Sequence, residues 1–180
     1  MPARRADPTK LDVAALAAEG GNLAGQWPAS GLSRWHAMQT PATGAEPAPV
    51  SWQVRGEQRQ ASGLVQQIWL HLAVTTTGWP TCQRCLQPFS LPMQFERALR
   101  FAANEAEAEA LDADSEDDVL ALAPAYDLRI LVEDELLLAW PIVPRHDACS
   151  PPQHDPGSAG DETENPFAAL ASLKQRPSPN

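Results

Sequence analysis

The chain has little tyrosine, few basic residues and no long apolar run. Tyrosine occurs once and cysteine three times among 180 residues. No apolar stretch approaches the roughly 20 residues that a membrane-spanning helix needs, and "MPARRADPTK" is not followed by the apolar core of a signal peptide. Lys and Arg number 13 against 23 Asp and Glu, a formal net charge of −10. Such a field excludes nucleic-acid binding by bulk charge, so any such contact needs a local basic patch or a protein intermediary. No Gly-rich phosphate loop, Ser-His-Asp ordering or dense His/Asp cluster is present, and His36, His71, His146 and His154 are scattered. His71 lies in a strand-like run and reads as a packed or half-exposed side chain rather than a base. The composition points to a cytoplasmic, non-catalytic protein that binds neither membrane nor DNA. In that setting three cysteines suit free thiols or metal rather than disulfides.

What the chain does have is proline, 18 residues of it, and a hydrophobic content of 43%. The prolines cluster, which marks linkers. Residues 1–48 read as a partly ordered N-terminal segment in which "TKLDVAALAAEGG" makes a short helix stopped by glycine. Strand periodicity starts at Val50. Val50, Trp52 and Val54 alternate with polar residues, and Ile68, Leu70, Leu72 and Val74 repeat the pattern. Phe89, Leu91, Met93 and Phe95 do so again. Three such runs predict an antiparallel meander, since parallel pairing would need crossovers for which there is no room. The run "NEAEAEALDADSEDD" is self-repelling and predicts a mobile acidic loop or ragged helix. Its sharper reading is a lure for a basic partner such as a ribosomal protein.

"YDLRILVEDELLLAWPIVP" carries the clearest helical pattern, over residues 127–140, with Asp127 as a cap and Pro141 as its end. Leu128, Leu131, Val132, Leu138 and Ala139 share a stripe flanked by Leu136 and Trp140, while Glu133 and Asp134 fall away from its centre. Glu135 falls within the apolar arc and therefore needs a partner if buried. The fold class predicted is α+β: a curved antiparallel sheet covered by one main helix, the core spanning 49–147. Residues 148–164 read as linker, and 165–180 as a C-terminal amphipathic motif. There Asn165 and Pro166 open a helical turn, Phe167, Leu170 and Leu173 form an apolar edge, and Lys174 follows. An apolar edge beyond a linker suits docking onto a partner.

Cys82 and Cys85, in "WPTCQRCLQPF", pose the chemical question of the chain. A zinc knuckle needs a tight Cys-x-x-Cys turn and a second ligand pair, which His146 and Cys149 offer just after the proline break. Two packed thiols at a strand end fit the residues as well. A redox dithiol is a third reading, disfavoured because such pairs usually open a helix whose dipole lowers the thiol pKa. Arg84, inside the turn, reads either as a solvated arginine or as a two-bond partner for Glu135 or Asp134.

Taken in order, "CQRCLQPF", "VEDELLLAWPIVPRHD" and "NPFAALASLK" resemble the YceD family, the large ribosomal RNA subunit accumulation proteins. The resemblance covers roughly residues 80–176. It implies a non-catalytic role in synthesis, processing or stability of 23S ribosomal RNA. The implied partners are the ribosome assembly machinery or 23S precursor particles. Members similar to this chain place an arginine between the two cysteines, as Arg84 stands here. They often carry further cysteines after the prolines, where this chain has "PRHDACSPPQH" instead. The rival reading from another class is a metal-dependent or redox enzyme acting on RNA or thiols through the Cys-x-x-Cys site.

Overall fold

Period-two alternation builds the sheet. A computed structural model of the chain describes residues 7–60 and 66–152. In it β1 (Asn22–Trp27), β2 (Val50–Gln60), β3 (Gln66–Gly78), β4 (Leu91–Ala102) and β5 (Asp118–Ala121) form one sheet in sequence order. The three strands read from the sequence pair antiparallel, with Trp52 opposite Val74 and Val74 opposite Phe95. Val50, Val54, Leu70, Leu72 and Val74 are almost wholly buried on one face. Phe89 lies before β4, where it packs on the His146 ring at 4.5 Å.

Two strands add to the meander. β1 pairs antiparallel with β2, and β5 pairs parallel with β4. The crossover that permits the parallel pair is α3 (Glu105–Asp114), formed by the acidic run itself. Asn104 accepts the Glu107 N–H, and the Glu107 carboxylate returns to Ala103 N, a reciprocal cap that satisfies two orphan donors. Glu105 and Glu107 also lie in the first turn, where the helix dipole favours negative charge. Local capping thus orders a run whose charge alone argued for a loop.

The N-terminal segment belongs to the same core. α1 (Val13–Ala18) is capped by Asp12, and α2 (Ser33–Ala37) carries Trp35, which is fully buried. Both helices pack on the apolar face of the sheet, and glycine makes the approach possible. A side chain at Gly56 would stand 2.6 Å from the α1 backbone, and one at Gly78 the same distance from Trp140.

α4 (Leu128–Leu138) is the covering helix, with Asp127 accepting the Arg129 N–H. Its buried face is rotated from the predicted stripe. Leu128, Leu131, Val132 and Leu136 are buried, whereas Leu138 is 76% exposed. Glu133, expected to face away, is buried because its carboxylate accepts the backbone N–H groups of Arg34 and Trp35. No helix among the described residues is long and apolar enough to cross a membrane.

Candidate metal centre

The turn between β3 and β4 is a closed knuckle. Cys82 N donates to the Gln87 carbonyl and Leu86 N to the Cys82 carbonyl, and an isolated bridge joins Thr81 to Pro88. The tight reversal puts Leu86 at φ 61°, the left-handed region that usually selects glycine. A second loop, following α4, is tied to the first by Gln83 N donating to the Pro144 carbonyl. Pro141 and Pro144 stop the helix and turn the chain back over the knuckle.

That return brings Cys82, Cys85, His146 and Cys149 together, their ligand atoms all within 4.8 Å of one another. Cys82 Sγ lies 3.7 Å from Cys149 Sγ, and Cys85 Sγ lies 3.3 Å from His146 Nδ1. Zinc held by sulfur at about 2.3 Å makes a tetrahedron with sulfur–sulfur edges of about 3.8 Å, which the Cys82–Cys149 separation matches. Three thiols and one imidazole are also a donor set that zinc accepts. The residues fit the ion.

Electrostatics around Cys82 favour a ligand rather than an inert thiol. It is fully buried, and burial, the largest influence, opposes ionisation. The backbone N–H groups of Cys85, His146 and Arg84 and the His146 side chain outweigh that and bring the thiol down to about 5. Burial pushes the Cys85 thiol up, and hydrogen bonding with Cys82 and Cys149 adds to the rise.

Arg84 serves this cluster and not α4. Its Nε donates to Cys149 Sγ at 3.0 Å and Nη2 to the His146 carbonyl at 3.2 Å. The expected pairing with Glu135 or Asp134 is therefore corrected. Glu135 accepts from Arg97 Nε at 2.9 Å, and Asp134 pairs with Arg34 at 2.6 Å. Spacing along the chain could not reveal that β4 and α2 each bring an arginine closer to these carboxylates than the knuckle does.

The remaining titratable groups form no catalytic constellation with the knuckle. His71 Nε2 lies 2.6 Å from Glu57 on the sheet. Hydrogen bonds from Arg59 first and then His71 hold that carboxyl at about 2. Asn165, Pro166, Phe167, Leu170, Leu173 and Lys174, like His154, lie outside the described residues.

Comparison with known proteins bears on all of these parts. The family model described as "Large ribosomal RNA subunit accumulation protein YceD" matches residues 70–174, more than half of the chain. The chain belongs to the YceD family. The match runs from β3 through the knuckle and α4 to the C-terminal motif. One curated relative, the large ribosomal RNA subunit accumulation protein YceD of Haemophilus influenzae (strain ATCC 51907 / DSM 11121 / KW20 / Rd), is 34% identical over 106 residues. That alignment covers 53% of this chain and 59% of the relative, less than two thirds of its length. No solved structure gives a significant match.

Proposed function

We propose that this protein is a cytoplasmic, non-catalytic ribosome biogenesis factor that supports synthesis, processing or stability of 23S ribosomal RNA during large-subunit assembly. The observation that carries this reading is the family match across residues 70–174. The net charge of −10 argues that contact with the assembly machinery or precursor particles is local or made through protein.

Cys82, Cys85, His146 and Cys149 are proposed as the holders of one zinc ion, which would supply a cross-link between the β3–β4 turn and the loop after α4. Four protein donors close a zinc site, and closed sites are structural, whereas catalytic ones keep a position open for water. That favours a staple over the rival reading of an enzyme acting on RNA or thiols. Arg84, donating to Cys149 Sγ and the His146 carbonyl, is the outer partner that orients two of the four ligands. Residues 165–180 are proposed as the partner-docking motif, through Phe167, Leu170, Leu173 and Lys174.

Depletion of the protein followed by sucrose-gradient profiling and ribosomal RNA quantification tests the role. The expected outcome is a deficit of 23S ribosomal RNA and large subunits relative to small ones. An unchanged ratio overturns the reading.

A further inference from the structure

The end of α4 carries an apolar trough with no cover among the described residues. On one side, Met38, Leu137, Trp140 and Ile142 wall a depression of about 370 Å³. On the other, Leu91, Met93, Phe95 and Ala139 wall a second of about 440 Å³, and the two meet at Pro141. Ile142 is 98% exposed and Leu138 is 76% exposed. Exposed apolar side chains scattered singly need no explanation, but a continuous rimmed patch marks an interaction site. The sheet is open here too. β5 pairs with β4 only over Leu99–Ala102, so on that side Leu91–Ala98 meets no strand among the described residues.

We propose that residues 165–174 of the same chain occupy this trough, with Phe167, Leu170 and Leu173 facing it. Three observations favour this occupant. The described chain leaves at Pro152, three positions past Cys149 of the knuckle, beside the trough wall formed by Thr81 and Gln83. The ~12 residues of 153–164 reach roughly 40 Å when extended, ample to return the motif to the end of α4. The family match takes in all of the second depression and most of the first, and it ends at residue 174, where the motif ends. Charge agrees as well: the last turn of α4 holds no basic residue, and Lys174 follows the apolar edge to meet the negative end of that helix.

The trough is thus the resting place of the docking motif, and a partner must displace the motif to bind it. The inference needs only the trough and the apolar edge of the motif, and it stands apart from the ribosomal role.

NMR on the full-length protein tests it. Amides of residues 165–174 should show heteronuclear NOE values close to those of β4. F167E/L170E should move the methyl signals of Leu91, Met93 and Ile142 while leaving Val54 and Leu70 in place. Ile142→Glu, at a side chain the fold does not bury, should lower the NOE values of 165–174 to those of a free tail. Free-tail values in the unmutated protein, or trough methyls that ignore F167E/L170E, overturn the proposal. Shifts that depend on protein concentration would assign the trough to a second copy and overturn it equally. A depletion phenotype, present or absent, bears on the ribosomal role alone.

Discussion

Glu133 caps a helix that lies 99 residues before it: its Oε1 accepts the backbone N–H of Arg34 at 2.6 Å and that of Trp35 at 3.1 Å. Leu32, at the cap position of α2, offers no side-chain acceptor, so the carboxylate of α4 supplies what the local sequence does not. The same contact seats Trp35 against Trp140, edge to face at 5.1 Å between centroids. Glu133→Ala should destabilise the protein by about 2–3 kcal/mol, through buried donors left unpaired. Glu133→Gln, which keeps one acceptor oxygen, should lose less. Urea unfolding of the two variants checks this, and an alanine variant as stable as the parent would mean that the cap contributes nothing.

That relationship shows where sequence reading stops. The alternation in Val50–Val54 and Ile68–Val74 is set by the strand repeat itself, so the central strands were legible. So was the Asp127 cap of α4, because capping acts within one turn. β1 was not legible: "NLAGQW" lies at the sheet edge with most side chains exposed, so burial imposed no alternation on it. Glu133 looked solvent-facing because its partners come from α2, and Arg84 was matched to the wrong carboxylates because such pairing depends on tertiary placement alone. The knuckle was legible in its ligands. Cys-x-x-Cys and the pair after the prolines each sit in one tight loop, and the strand–helix order brings the loops together.

Glu135 gives a pH test of the α4 seam. Burial raises its carboxyl above the ordinary value of 4.5, and the Arg97 guanidinium only partly offsets that. A carboxyl whose folded pKa is raised gives stability that is full below its unfolded pKa and is lost as pH rises through the folded pKa. The parent should therefore lose stability relative to Glu135→Gln as pH climbs above 4.5. Melting temperatures of both proteins across pH 4–7 read this difference directly. A constant gap between the curves would show that Glu135 titrates as it does in the unfolded chain.

For the metal centre, purified protein should carry about one equivalent of zinc, and chelation should lower its melting temperature, because structural sites hold metal firmly at neutral pH. Arg84→Ala should keep the stoichiometry but weaken affinity by about 10–100-fold, the usual cost of removing an outer partner. Competition against a chromophoric chelator measures this. Equal affinity for both proteins would reduce Arg84 to a surface residue, and metal-free protein indifferent to chelator would leave the cysteines as packing.

The C-terminal motif separates stability from function. The buried core is built within 7–152, by residues from Leu11 to Leu136. A short segment that rests on a surface trough contributes little net free energy, since ordering it and closing its linker offset most of the apolar gain. A chain lacking residues 165–180 should therefore melt close to the full-length protein. The same truncation removes Phe167, Leu170, Leu173 and Lys174, the apolar edge and charge on which docking depends. In depleted cells it should fail to restore 23S ribosomal RNA even when it accumulates to normal levels. Immunoblotting beside the ribosomal RNA measurement keeps loss of protein distinct from loss of docking. Full complementation by the truncated chain would end the docking role, and its unfolding would make the motif part of the core.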